Sequence, residues 1–264
     1  MYSKEHLLYL KKQKRFRAFV IFTQIMIVIC FLIIWQFLAD TKTINTFIFS
    51  SPKNIIDTLV KLHQTNDIYR HIWVTVYETI ISFSIGTILG IFIATILWRY
   101  RFIAEVMDPY LTILNSLPKV ALGPIIIIWA GANINSIIFM ALLISVIVTV
   151  MNIYQGFKEI DSNKIKLLKS LGATKWQMYV NLILPGSIQT IISTLKINVS
   201  MSLIGIIMGE FLVSKEGIGY LIMYGSQVFN LNLVITGIFI LCVVATFMYY
   251  IVFYFEKKII QRKK

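Results

Sequence analysis

FVIFTQIMIVICFLIIWQFLA, residues 19–39, runs for twenty-one positions without one charged side chain. Wound as a helix at about 1.5 Å per residue, it reaches across the roughly 30 Å hydrocarbon core of a bilayer. In that medium a helix is favoured because it satisfies its own backbone groups. The basic residues at 4–17 before it give the start of the chain the look of a signal peptide. The apolar run, however, is about twice a signal h-region in length and lacks a small-residue cleavage site, so an uncleaved first span is expected.

The pattern recurs at 73–97, 111–130, 137–153, 188–209 and 233–255, making six candidate spans. Pro118, Lys119 and Pro124 interrupt the third, and the fourth is short. Trp35, Trp73, Trp98 and Trp129 fall near span ends, where amphipathic rings collect. The composition agrees: 58% hydrophobic and 14% charged, against about 45–50% and 25% in soluble domains. The expected fold class is therefore all-α, a polytopic membrane helical bundle with about six transmembrane helices. One transmembrane domain covers 19–255, flanked by basic tails at 1–18 and 256–264.

A net charge of +13 would suggest nucleic acid in a soluble protein, but here its distribution orients the bundle. Residues 1–18 carry six Lys and Arg, 98–110 two, 154–187 five and 256–264 five, while the alternate loops 40–71, 131–136 and 210–232 carry four, none and one. The positive-inside rule then puts the N and C termini in the cytoplasm of a multi-pass plasma-membrane protein. No base-reading module accompanies the charge, so a nucleic-acid partner is not expected. Cys30 and Cys242 lie inside apolar runs, where each reads as a small hydrophobe rather than half of a disulfide.

In the outer loop, Ser51-Pro52-Lys53-Asn54 sets an N-cap before a proline at the first helical position. Ile55, Ile56, Leu59 and Val60 follow as one apolar face, predicting a short amphipathic helix at the outer interface. It either closes the bundle or contributes to solute binding, and closing the bundle is the plainer role.

Residues 154–187 form the longest polar segment on the cytoplasmic side, longer than a minimal helix connector. Ile165, Leu168 and Leu171 make an apolar stripe beside Lys164, Lys166 and Lys169. Gly172 is placed to end that helix in the left-handed conformation. Thr174 and Gln177 then have the spacing of a capping box opening a second helix, and Pro185 marks the next turn of the chain. A helix, a Gly-Ala-Thr corner and a second helix that present Leu, Lys and Trp176 suit a docking surface; an amphipathic helix resting on anionic headgroups of membrane lipid is the other reading.

The run Leu171-Gly172-Ala173-Thr174-Lys175-Trp176-Gln177, followed by Leu182-Ile183-Leu184-Pro185, resembles the cytoplasmic loop of binding-protein-dependent ABC transporter permeases. The family pattern is Glu-Ala-Ala, three residues, Gly, nine residues, Ile-x-Leu-Pro. Gly172, Leu184 and Pro185 match it in spacing; Leu182 stands for the Ile, and Lys166, Leu167 and Leu168 stand for Glu-Ala-Ala. Elsewhere, Phe49-Ser50-Ser51-Pro52, the stretch from Ser116-Leu117-Pro118-Lys119 to Gly123-Pro124 with Trp129-Ala130-Gly131, and Gly209-Glu210 before Gly217-Ile218-Gly219-Tyr220-Leu221 are similar to the nitrate/sulfonate/taurine-type subfamily.

The resemblance implies a MetI-like permease fold and a permease subunit of an ABC importer. It implies a loop helix seated in a cytosolic ABC ATPase dimer, with contacts from Lys166, Leu167, Leu168, Gly172, Ala173, Thr174, Trp176, Leu184 and Pro185. It further implies a second permease copy, in a homodimer, and an extracytoplasmic solute-binding protein. Solutes of the class include nitrate, sulfonates, taurine and, as an alternative, a thiamine-pyrimidine-like vitamin precursor. The sequence has no G-x-x-x-x-G-K-[ST] loop, so no cofactor is expected in this chain, with ATP and Mg bound by the ATPase.

Polar residues inside spans are candidates for the pathway because they are costly in lipid. They are Glu78 in the second span, Lys119 in the third, and Asn198 and Ser202 on one face of the fifth, where packing between helices is the alternative role. Glu78 could instead stay hydrated near His71 and Arg70. Lys196 could snorkel to the inner surface or, like Lys119, face an anionic solute. Gly86 and Gly90 form a G-x-x-x-G, read as a helix contact. Gly217-x-Gly219 is read as an outer turn before a re-entrant segment. No catalytic residues and no metal ligands are expected, because no Ser/His/Asp set or His/Cys/carboxylate cluster has the spacing. A stand-alone secondary carrier, which would be expected to show inverted repeats or paired ionisable groups, and a membrane-embedded enzyme are the readings from other classes.

Overall fold

The computed structural model describes residues 4–261. Residues 1–3 and 262–264, at the ends of the two basic tails, lie outside the described residues. The elements in order are α1 (Lys4–Asp40), α2 (Thr46–Phe49), α3 (Pro52–Gln64), α4 (Asp67–Arg99), α5 (Arg101–Ser116), a 3₁₀ turn (Lys119–Leu122), α6 (Gly123–Ala130), α7 (Ile134–Lys158), α8 (Ser162–Ser170), α9 (Lys175–Met178), a π turn (Tyr179–Ile183), α10 (Leu184–Gly186), α11 (Ile188–Val213), α12 (Ile218–Gln227) and α13 (Leu231–Gln261). Among the described residues there is no strand. Among the described residues, five helices are long and apolar enough to cross a membrane, and a sixth crossing is available if α5 and α6 count as one bent span.

The third run, 111–130, is bent where Pro118, Lys119 and Pro124 interrupt it. The chain turns by 87° between α5 and the 3₁₀–α6 segment. Leu117, immediately before Pro118, is driven to extended backbone at ψ 140° because the proline ring crowds the helical conformation of its predecessor. Pro124 then sits in the first turn of α6, where its missing N–H costs nothing. The short fourth run grows into a 25-residue helix because Asn133 and Ser136 cap it reciprocally, three residues before the apolar stretch begins.

The centre of the bundle is α7, packed along its length between α4 and α11. Small residues permit that approach. A Cβ on Gly86 would stand 2.8 Å from Ser145 Oγ, and one on Gly90 would stand 2.7 Å from Thr149 Cβ, so the G-x-x-x-G of α4 is a contact with α7. Gly205 lies equally close to Ala141, and Gly209 to Ile137, on the other side of α7.

A second apolar cluster joins α11, α12 and α13 through Val199, Leu203, Ile218, Leu221 and Ile240, with Leu59 of α3 against it. The α3 face divides: Ile55 is buried and Leu59 half-buried, whereas Ile56 and Val60 point outward. Ser51 Oγ accepts from Asn54 N–H at 3.2 Å, the expected cap. The apolar side chains of α1, such as Phe22, Ile27 and Phe37, are mostly exposed, as are Phe92 of α4 and Phe247 of α13. A belt of that size is a liability in water and the proper surface against lipid tails.

Candidate functional site

The segment between α7 and α11 begins with Asp161, whose carboxylate accepts from Asn163 N–H at 2.8 Å and starts α8. Four residues after Leu168 the helix stops at Gly172, which takes φ +78°. Ala173 N–H donates to Leu168 O and Gly172 N–H to Lys169 O, both at 3.0 Å, the paired bonds of a Schellman motif. One residue later Thr174 Oγ1 accepts from Gln177 N–H at 3.3 Å, while Gln177 Oε1 accepts from Thr174 N–H at 2.8 Å. The corner and the capping box legible in the sequence are therefore both formed.

The stripe expected from Ile165, Leu168 and Leu171 is only partly realised. Ile165 and Leu168 turn inward and are half-buried, but Leu171 is 73% exposed because the Schellman turn swings it off the helix face. Leu167, Leu171 and Trp176 (68% exposed) are left as an outward apolar set, with Lys166 exposed beside them.

One residue that sequence reasoning missed connects this surface to the bundle. Tyr179 is buried, and four contacts converge on it. Trp176 stacks on its ring at 5.6 Å between centroids, Trp98 of α4 lies at 5.5 Å, and Phe157 of α7 meets it edge-on at 5.8 Å. Its hydroxyl shares a 2.7 Å hydrogen bond with Thr95 Oγ1 of α4. Ile183, Ile153 and Ala94 complete the cluster, and Ser187 Oγ donates to Gly156 O at 3.0 Å. Leu184 and Pro185 follow the π turn; Pro185 falls in the first turn of α10. The only sequence signal for Tyr179 was its position one helical turn after Trp176.

At the opposite end of the bundle a second polar cluster forms around Glu210, also unnoticed as a site residue although it stands at the end of a span. Its side chain is 1% exposed. Thr75 Oγ1 donates to Glu210 Oε1 at 2.6 Å, and Gly219 N–H donates to Oε2 at 2.5 Å. Thr75 Oγ1 also accepts from Ile218 N–H at 2.8 Å, and His71 Nδ1 accepts from Gly217 N–H at 3.0 Å. Gly217 has φ +102°, and a Cβ there would overlap the Glu210 carboxyl. Glu210 thus fastens the first turn of α12 to α11 and α4. An ion pair between Arg70 and Glu216 closes the same strap.

Glu78, one helical turn after Thr75 on α4, is 3% exposed. It borders a cavity of about 450 Å³ together with Asn133, Ile137, Lys215 and Glu216. Asn198 and Ser202, four residues apart on α11, are both buried. Asn198 Nδ2 donates to Thr87 Oγ1 at 2.6 Å, which makes it a tie between α11 and α4. Lys119, at the α5–α6 bend, donates to Asn115 O at 3.0 Å. Lys196 does not face a cavity alone: Glu256 of α13 pairs with it at 2.9 Å and Phe253 lies under its ammonium.

The architecture is a bundle of long apolar helices with a capped helix–corner–helix at one end and one bent helix pair. A chain of the MetNI methionine ABC transporter solved in an inward-facing conformation superposes with a TM-score of 0.65 at 15% identity, covering 76% of this chain and 98% of that one, so the MetI-like fold is shared. The family described as binding-protein-dependent transport system inner membrane component matches residues 86–261, and the chain belongs to it. It is a multi-pass transport subunit and not an enzyme; in such transporters the ATPase is a separate subunit.

Relatives extend the match. A protein named as an ABC transporter permease in Haemophilus influenzae is 27% identical over 86% of this chain and 91% of its own length. An aliphatic sulfonates transport permease of Bacillus subtilis is 24% identical over 86% and 83%. A formylaminopyrimidine transport permease of Halalkalibacterium halodurans is 26% identical over 72% and 75%.

Proposed function

We propose that this chain forms the translocation pathway of an importer for a small solute, as one of two identical copies. In this reading the 154–187 loop lies in the cytoplasm and docks on a separate ABC ATPase pair that holds ATP and Mg. A solute-binding protein delivers cargo at the Glu210 end. The observation that carries the reading is the rigid corner at Gly172 and Thr174. It presents Leu167, Leu171 and Trp176 outward while Tyr179, directly behind, is wedged between α4 and α7. A push on that surface reaches the spans through packed rings. It can shift the transporter between states only to the extent that the ATPase binds the two states differently.

An anionic solute of the sulfonate or taurine kind is favoured by the sulfonate and taurine permeases among the relatives. Of the two intramembrane lysines, Lys119 has no carboxylate partner among the described residues and Lys196 does. The formylaminopyrimidine relative supports a second reading, a vitamin-precursor importer. Gly172→Val tests the docking assignment. A β-branched residue at φ +78° is strained by about 1–2 kcal/mol or more, so the corner should open. ATPase co-purification and transport-coupled ATP hydrolysis should then fall, with the permease still in the membrane. Undiminished co-purification and transport would refute the docking role.

A further inference from the structure

α5 is exposed along almost its whole length: only Ala104 is buried, and Leu111 is half-buried. Those two, about two turns apart, join Ile93 and Leu97 of α4 and Val146 and Val150 of α7 in one apolar cluster, so α5 runs beside two spans. The rest of the helix divides into two faces. Phe102, Val106, Tyr110 and Ile113 form an exposed apolar face suited to lipid tails. Arg101, Glu105, Asp108, Thr112, Asn115 and Ser116 follow one another at helical spacing, are all exposed, and fall within an arc of about 100°.

The polar groups of that stripe bond within their own helix. Arg101 pairs with Glu105, while Thr112 Oγ1 donates to Asp108 O and Ser116 Oγ to Thr112 O, both at 3.0 Å. Lys119, just past the bend, donates to Asn115 O at 3.0 Å, which sets its ammonium at the end of the stripe nearest the bend. Among the described residues no hydrogen bond joins Asp108, Thr112 or Ser116 to another helix. A carboxylate, an amide and two hydroxyls turned toward hydrocarbon would each be costly, so the stripe calls for water.

We propose that this stripe is one wall of a water-filled translocation passage, with Asp108, Thr112, Asn115 and Ser116 facing the solute and a second copy of the chain closing the passage opposite. The proposal rests on the reading of this chain as half of an importer's pathway and assigns a face to it. Charge is graded along that face. Glu105 is neutralised by Arg101, Asp108 has no cationic partner among the described residues, and Lys119 has no carboxylate partner among them. An anionic solute therefore pauses between Ser116 and Lys119 and is repelled from Asp108, eight residues or roughly 12 Å back along the helix.

The test is cysteine labelling of the full chain in lipid nanodiscs, where both membrane faces are open, with Cys30→Ser and Cys242→Ser removing the native thiols. Thr112→Cys and Ser116→Cys should react with a charged methanethiosulfonate about tenfold faster than Ile113→Cys on the lipid face, because the reactive thiolate is disfavoured in apolar surroundings. In proteoliposomes holding the ATPase and binding protein, labelling of either stripe position should abolish alkanesulfonate uptake. At Ser116→Cys, the preference for an anionic over a cationic reagent should fall about fivefold or more in Lys119→Gln, the factor one unit charge supplies at about 4 Å in water. Equal reaction at Ile113→Cys and the stripe, protection of both stripe positions, labelling that leaves uptake intact, or a preference unmoved by Lys119→Gln overturns the proposal. A parent chain that labels as expected but takes up no solute leaves the water-facing stripe standing and removes the importer reading.

Discussion

One hydroxyl and three ring contacts hold Tyr179 against Thr95 and Trp98 of α4, Phe157 of α7 and Trp176. Tyr179→Phe removes the hydrogen bond to Thr95 and should cost about 1 kcal/mol, with little loss of transport-coupled ATP hydrolysis. Tyr179→Ala empties a buried site walled by Trp98, Phe157 and Trp176. It should cost about 3–5 kcal/mol of local stability and uncouple hydrolysis from transport, measured as ATPase activity that solute-loaded binding protein no longer stimulates. At the other end, Glu210→Gln keeps the shape but sets an amide N–H₂ against a backbone N–H or the Thr75 hydroxyl. One buried donor is then unsatisfied, at about 1–3 kcal/mol, and protease sensitivity around 214–219 should increase. Gly172 and Thr174 were legible because capping follows fixed residue spacings; Glu210 and Tyr179 were not, because each meets a hydroxyl of α4, Thr75 or Thr95, far away in sequence.

Among the elements, α7 is held between two helices that approach over glycine. A Leu at Gly205 would collide with the backbone of Ala141, and no flexible side chain can yield there. Such overpacking costs roughly 1–3 kcal/mol or more, so Gly205→Leu should lower the melting temperature of the detergent-solubilised protein and its yield in membranes. Leu at Gly172, where a Cβ meets nothing within 4 Å, should leave packing intact and disturb only the backbone of the corner. Five of the six spans were readable from apolar length alone, since a lipid-facing helix advertises itself in composition. The third was not, because Pro118 sets a break but not its angle; the 87° turn depends on where α6 packs against α7.

Over the whole molecule, the expected assembly is two copies of this chain on two ATPases. Uptake assays in a strain lacking its own sulfonate and pyrimidine importers should show accumulation of an alkanesulfonate or taurine, with the cognate binding protein and ATPase co-expressed. Accumulation of a formylaminopyrimidine alone would move the assignment to the second reading, and solute entry without the ATPase would remove the importer reading altogether.

The sequence by itself determined the medium, the spans and the helix–corner–helix, because each rests on local rules: apolar length against bilayer thickness, and residue spacing against the needs of helix ends. Charge counting also supplied an expected orientation. The tertiary structure alone decided which polar residues meet. It placed Asn198 against Thr87, Lys196 against Glu256, and Thr75 against Glu210, pairings separated by 60 to 135 residues along the chain. Those pairings follow from how helices register over Gly86, Gly90, Gly205 and Gly209. Register is a property of two surfaces in contact, and no single stretch of sequence contains it.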